Sequence, residues 1–286
     1  WNIQWARGLD GIVDPQRIVD GAKQLGDFDV LCLQEVAASY DTLAGSSGED
    51  QFDIFANLLP GFTAVSVTPV DVPAPKGRRR FGNLLLSRLP VQRVLRHQLP
   101  WPPDDAVISM PRALLEATLD TPLGPLVVMT THLEYHSEPQ RQAQVEAIRG
   151  CHAQSCRRAL AAGVRAGSGS PYHALPSTTR TLLMGDFNFP PEDPLHARLQ
   201  EPFDDTRIPR FVDVWQHLHG AQAHAPTAGV HENKYWPQPC ATDFVFASAD
   251  LLTNIRAFTI DSATQASDHQ PQLLELGPAN AMGGLA

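Results

Sequence analysis

Amide, carboxylate and imidazole side chains suited to metal and phosphate chemistry recur where short apolar runs end in this chain. They are Asn2, Glu35, His132, the pair Asp186 and Asn188, and later Asp243 and Ser267-Asp268-His269. A carboxylate at the tip of a buried strand is costly unless a cation or hydrogen bonds satisfy it. Gathered at one rim, such groups form a hard oxygen site suited to Mg²⁺ or Mn²⁺. Histidines beside that site can stabilise or protonate a phosphate oxygen. Each residue also has a plain structural reading. Glu35 could open a loop, residues 185–188 could be an Asx-type turn, His132 could be a satisfied core histidine, and Asp268-His269 could lie on the surface. Their shared position at strand ends favours the collective reading.

The elements that must position them follow from local patterning. Asp14-Pro15 is a helix start, a side-chain cap followed by proline at the first helical position, and that helix runs to Leu25 and stops near Gly26. Residues 28–33 form a nearly all-apolar strand that ends in Gln34-Glu35, a pattern of burial on both faces. A second helix is expected over 49–59, a strand over 62–67 and a Pro- and Arg-rich loop over 71–80. Strands follow at 82–87, 91–98, 112–119 and 126–131. Ser137-x-x-Gln140 is a capping box before a long helix over 139–162. Residues 163–179, rich in Gly, Ser, Pro and Ala, read as a flexible surface loop. The late strands are 181–184, which runs into Gly185-Asp186-Phe187-Asn188, then 211–215, 242–247 and 255–260. Many strands with interspersed helices imply a layered α/β arrangement with two packed sheets, expected as one domain over 1–286.

Composition narrows the function. The chain has 286 residues, 43% hydrophobic, and a net charge of −9. A protein that grips long nucleic acids through its general surface carries the opposite balance, so a nuclease of this composition needs a local patch or a bound cation. The cysteines Cys32, Cys151, Cys156 and Cys240 are too scattered for a disulfide framework and form no CxxC zinc pair. There is no run of eighteen apolar residues and no visible signal peptide. A soluble protein is expected, with a cytoplasmic location slightly favoured. The chain opens at Trp1, not Met, an expectation that something upstream was removed or lies outside it.

The set of motifs resembles the endonuclease/exonuclease/phosphatase superfamily of DNase I-like phosphoesterases. The matching pieces, in the family's order, are Trp1-Asn2-Ile3, Leu33-Gln34-Glu35-Val36, Gly82-Asn83-Leu84-Leu85-Leu86-Ser87, Thr131-His132-Leu133, Gly185-Asp186-Phe187-Asn188, Asp243-Phe244-Val245-Phe246 and Ser267-Asp268-His269. The resemblance implies a four-layered α/β sandwich of two packed mixed β-sheets flanked by helices, with the site at one end of the sheets. It implies Mg²⁺ as cofactor, with Mn²⁺ possible, and Asn2, Glu35 and Asp268 as its ligands. Asp186, helped by Asn188, would orient or deprotonate the attacking water. His269 would contact a non-bridging phosphate oxygen or act as acid, with Asp243 orienting it. His132 is similar to the second histidine of the DNase and sphingomyelinase branches and argues against the abasic-site endonuclease branch.

Weaker candidates for substrate contact are Asn83 and Arg112. The basic run Lys76-Gly77-Arg78-Arg79-Arg80 reads better as a solvated loop than as a phosphate grip. Glu134, Tyr135 and His136 are placed to shape the pocket, and His231, Lys234, Tyr235 and Trp236 to form a specificity loop or simply to pack. The expected activity is a metal-dependent phosphodiesterase or nuclease-like hydrolase acting on a nucleic acid or a phospholipid or inositol headgroup. A sphingomyelinase-type or inositol-phosphate enzyme is the alternative, and a silent binding module on the same scaffold is remote. No stable protein partner is implied, and a monomer is expected.

Overall fold

The computed structural model describes residues 1–75, 77–161, 170–173, 175–232 and 236–279. Helix α1 (Pro15–Leu25) begins as its sequence dictates, with the Asp14 carboxylate accepting from the backbone N–H groups of Gln16 and Arg17. Such a cap contributes about 1 kcal/mol. Strand β1 (Val30–Ala38) follows, then α2 (Gln51–Leu58), capped in the same way by Asp50. Strands β2 (Thr63–Pro73) and β3 (Arg78–Ser87) pair with each other, and β3 also pairs with β1. The expected 71–80 loop is therefore a correction. The strands continue through it, with Asp71 opposite Arg80 and Pro73 opposite Arg78. Arg78 pairs with Asp71, Arg79 with Asp41 at 2.7 Å and Arg80 with Asp50, and these pairs hold the polar extension of the hairpin together. Lys76 lies outside the described residues.

A six-stranded sheet carries β4 (Val91–Gln98), β5 (Ala113–Thr121), β6 (Gly124–His132), β7 (Thr181–Asp186), β9 (Asp243–Ser248) and β8 (Phe211–Asp213), in that spatial order. Residues 211–215 do not form one strand as expected. At Asp213 the chain turns into helix α5 (Val214–His219), because the Asp213 carboxylate accepts from the N–H groups of Trp215 and Gln216 and caps it. Strands β10 (Ile255–Ile260) and β11 (Gln272–Leu276) form a two-stranded ribbon.

The period-two alternation of side chains sorts the core into layers. Leu33, Leu84 and Leu86 point from the small sheet towards Ile18, Val19 and Phe55 of α1 and α2. Cys32 and Leu85 point the other way and meet Leu115, Ala117, Val128, Leu182, Val245 and Ala247 of the six-stranded sheet, with Phe258 and Leu274 of the ribbon packed alongside. The far face of that sheet, with Leu114, Met129, Leu183, Phe244 and Phe246, packs on Val145 and Ile148 of α3 (Glu138–Leu160) and Leu199 of α4 (Pro194–Gln200). The result is helix, sheet, sheet, helix. Ser137 caps α3, but Gln140 does not complete the capping box: its amide donates instead to the Pro102 carbonyl and to Ser109, anchoring residues 99–111. The expected loop 163–179 falls partly on residues outside the described set. No helix among the described residues is long and apolar enough to cross a membrane.

Candidate active site

Strand register brings three of the predicted residues into one row. In β6, β7 and β9, His132 lies opposite Asp186, and Asp186 lies opposite Asp243. Gly185 makes this possible. Its φ is +142°, and a Cβ there would fall 1.9 Å from the Thr131 carbonyl oxygen on the neighbouring strand.

Glu35 is placed differently from the sequence expectation. The strand does not end there but runs on to Ala38, and Glu35 sits in a bulge at φ +62°. Leu33 pairs with Leu84 and Val36 with Gly82, so Gln34 and Glu35 together face the single residue Asn83. Such a bulge re-aims a side chain without ending the strand. The freed Gln34 backbone pairs with the N-terminal segment, donating to the Trp1 carbonyl at 3.0 Å and accepting from Ile3 N–H at 3.1 Å. That contact sets Asn2 beside Glu35.

Around these elements the side chains converge. The Asn2 amide donates to Glu35 Oε1 at 3.1 Å and to Asp186 Oδ2 at 3.0 Å. Asp186 Oδ1 accepts from the Asn188 backbone N–H at 2.9 Å, and the Asn188 amide donates to the Leu133 carbonyl at 2.9 Å. His132 stands 3.5 Å from Asp186 and 4.0 Å from Glu35. His269 Nδ1 donates to Asp243 Oδ2 at 2.8 Å, while its Nε2 faces Asp186 Oδ2 at 3.8 Å. Because a carboxylate accepts at Nδ1, the tautomer there is fixed by the partner. Asp268 accepts from the Gln4 amide at 2.7 Å. Ser267 ties this segment to the N-terminus by donating to the Asn2 carbonyl at 2.8 Å.

The two weaker candidates line one small cleft with Glu35 and His132. The Asn83 amide donates to the Ala113 carbonyl at 3.3 Å. Arg112 is buried and pairs with Glu134 at 3.2 Å, so its charge is shared. Gln4, Thr227 and Glu134 complete the network and were not assigned these roles from sequence. Thr227 donates to Asp243 Oδ2 at 2.7 Å while its own oxygen accepts the N–H groups of Thr242 and Asp243. Gln4 had one legible signal, its alternation with Asn2 and the apolar Ile3, whereas nothing in the sequence around Thr227 marks it.

Burial and charge set the protonation states. Burial, then repulsion from Asp268, pushes the Glu35 carboxyl up to about 7. Burial and Asp243 push Asp186 up to about 6. Burial works against a charged His269, but Asp243 and Asp186 outweigh it and hold the imidazole well above its ordinary value. His132 is driven well below its ordinary value by burial and by the charges of Arg112 and His269. Glu35, Asp186, Asp243 and Asp268 thus converge on one protonated imidazole, and Asp243 Oδ1 is buried with no protein partner among the described residues. The donors are mainly carboxylate oxygens, and their negative charge exceeds what His269 can neutralise. Buried carboxylates with excess charge of this kind are groups that a bound cation can satisfy. Ligand atoms of Asp186, Asp243 and His269 also lie within 4.8 Å of one another, a possible buried metal site in itself. Nδ1 of His269 and Oδ2 of Asp243 already share a hydrogen bond, so Nε2 of His269 and Oδ1 of Asp243 are the atoms of that pair left open.

A sequence model described as the endonuclease/exonuclease/phosphatase family matches residues 1–269. The chain is similar in structure to an endonuclease/exonuclease/phosphatase from Beutenbergia cavernae, with a TM-score of 0.66 and 23% identity over 98% of this chain and 71% of that one. It is also similar to the human Nocturnin catalytic domain, with a TM-score of 0.63 and 16% identity over 97% and 91%. A mannosyl-6-phosphatase from Bacteroides thetaiotaomicron aligns with a TM-score of 0.60 and 15% identity over 92% and 91%. At these identities the structural likeness speaks for the fold. No curated protein matches the chain.

Proposed function

The chain belongs to the endonuclease/exonuclease/phosphatase family, and from that footing we propose that it is a Mg²⁺-dependent phosphodiesterase, nuclease-like in mechanism and built as one domain. The observation that carries this reading is the Asn2 amide bridging Glu35 and Asp186 beside a His269 that Asp243 holds protonated. Members of this family are typically metal-dependent phosphoesterases.

Glu35, Asn2 and Asp268 are the residues that would hold Mg²⁺, with Mn²⁺ as a substitute. Once bound, the ion neutralises phosphate charge and eases departure of the alkoxide. Asp186, clamped by Asn2 and by the Asn188 N–H, presents its carboxylate to the attacking water and takes up its proton. The environment that raises Asp186 towards neutrality makes it a better base than an ordinary aspartate. His269 donates from Nε2 to a non-bridging phosphate oxygen while Asp243 keeps Nδ1 occupied. His132, neutral, hydrogen-bonds near the leaving oxygen. Asn83 and Arg112, in the cleft beside Glu35, contact the rest of the substrate.

A second substrate reading is a phospholipid headgroup or another small phosphate ester, since one observation weakens the case for a long nucleic acid. Arg78, Arg79 and Arg80 are each paired with an aspartate, so this basic run offers little to a long nucleic acid. The test is a Mg²⁺-dependent screen against plasmid DNA, single-stranded DNA, sphingomyelin, inositol phosphates and bis-p-nitrophenyl phosphate, with Asp186→Ala and His269→Ala as controls. Turnover that EDTA and both substitutions abolish is expected. Absence of turnover on every substrate with Mg²⁺ and Mn²⁺ overturns the enzyme reading, and full activity in both variants overturns the site.

A further inference from the structure

Two aromatic side chains stand at the rim of this site, in contact with each other, and the proposed mechanism uses neither. Tyr135 follows Glu134, which is buried and paired with Arg112, and the Tyr135 carbonyl accepts from Arg141 of α3 at 2.6 Å. The residue is nevertheless 42% exposed. Trp236, half-buried, lies near Ala228, which pairs with both Cys240 and His269. Gly229 leaves room for it: φ there is +66°, and a Cβ would fall 2.6 Å from Cβ of Trp236. The Trp236 ring lies 6.1 Å from the His269 ring and 5.8 Å from the Tyr135 ring, nearly perpendicular to both. His136, also exposed, continues the row at 4.7 Å from Tyr135.

Aromatic surface left open to water next to convergent polar groups suits the apolar, flat part of a ligand. We propose that Tyr135 and Trp236 form a subsite for a planar ring attached close to the phosphate, an aryl group or nucleobase, so that the substrate is a phosphate ester of a ring-bearing group and not of a simple alkyl or choline headgroup. The identity of the phosphate site beside it rests on the function proposed above; the ring preference does not need turnover to be seen. A ring seated there meets the exposed Tyr135 and the edge-on Trp236 in the offset or T-shaped contacts aromatic pairs favour.

Isothermal titration in Mg²⁺ separates the possibilities with three probes: phenylphosphonate, ethylphosphonate and phosphocholine. The wild-type protein is expected to bind phenylphosphonate about five- to tenfold more tightly than ethylphosphonate, the size of one aromatic contact. In Tyr135→Leu and Trp236→Leu that ratio falls towards one, while inorganic phosphate binds as before and the melting temperature stays within a few degrees. Equal binding of the two phosphonates, tighter binding of phosphocholine, no measurable binding of phenylphosphonate, or an unchanged ratio in both variants overturns the ring subsite. These outcomes are read without catalysis. A protein that prefers phenylphosphonate yet turns over no ester keeps the subsite and loses the enzyme reading. One that cleaves esters without ring preference does the reverse.

Discussion

His269 donates from Nδ1 to Asp243 at 2.8 Å, deep enough that both side chains are almost wholly buried. The bond does two things at once. It fixes which ring nitrogen faces Asp186, and it places a negative charge where the imidazolium needs one. Replacing Asp243 by Asn removes the charge and allows the wrong tautomer. Turnover of bis-p-nitrophenyl phosphate should fall by about 10²-fold or more, with less change in KM, since the donor that His269 presents to the phosphate oxygen gains most strength in the transition state. Steady-state kinetics on a variant whose circular dichroism matches wild type is the check.

Glu35 and Asn2 give a different signature. Glu35→Gln keeps the shape and the Asn2 contact but removes a charge from the proposed cation site. The Mg²⁺ concentration for half-maximal activity should rise about 10-fold or more, the scale seen when a metal site loses part of its support. A variant that loses kcat at saturating Mg²⁺ but keeps the same half-saturation point would speak against Glu35 as a ligand.

Stability should depend on pH in an unusual direction when metal is withheld. The Glu35 carboxyl is raised from 4.5 to about 7 and Asp186 from 3.8 to about 6 by burial and neighbouring charge. A group whose folded value lies above its unfolded one contributes stability that is complete below the unfolded value and is lost as pH rises through the folded one. In EDTA these two groups therefore make the protein less stable at pH 8 than near pH 5, by at most a few kcal/mol together. Mg²⁺ should raise the melting temperature more at the higher pH, because binding requires the Glu35 carboxyl deprotonated and the ion also favours the ionised form of nearby Asp186. Scanning calorimetry with and without Mg²⁺ across this range decides it, and Glu35→Gln should raise the metal-free melting temperature at pH 8. A Mg²⁺ increment that shrinks as pH rises would refute the assignment.

Gly185→Ala should be among the most damaging small substitutions in the chain. The new methyl would meet the Thr131 carbonyl oxygen at 1.9 Å, and that atom is backbone in the adjacent strand, so it cannot swing aside. A loss of about 3 kcal/mol or more is expected from strain and strand displacement. Urea unfolding should show a lower midpoint, and any folded fraction should be nearly inactive because Asp186 is the next residue.

Much of this was readable in the chain because the signals are local. Asp14-Pro15 favours a helix start through local chemistry, and the short apolar runs before His132 and Asp186 have the length and composition of buried strands. The strand-end polar residues were therefore recoverable as a set, and the structure brings Asn2, Glu35, His132, Asp186, Asn188, Asp243 and His269 together, with Asp268 reaching them through Gln4. The misreadings have non-local causes. Glu35 takes its positive φ from the register that Asn83 and the Asn2 segment impose on β1, which no window of sequence around residue 35 contains. The 71–80 segment has loop-like composition, yet Arg79 and Arg80 find Asp41 and Asp50 from elsewhere in the chain and the hairpin holds. Asp213 ends a strand and caps a helix with one carboxylate, so residues 211–215 carry two elements where hydrophobic pattern suggests one.

The row formed by His132, Asp186 and Asp243 works as a counting device. Each residue owes its place to an integer position on a hydrogen-bond ladder. A side chain in a strand reverses its direction with every single-residue step. Substitutions along β6, β7 and β9 can therefore accumulate while the site survives, but the gain or loss of one residue within any of them would turn a functional group through the sheet into the opposite core. Lineages that share this chemistry should differ in residue identity inside these strands and in length only outside them, as between Leu160 and Thr181.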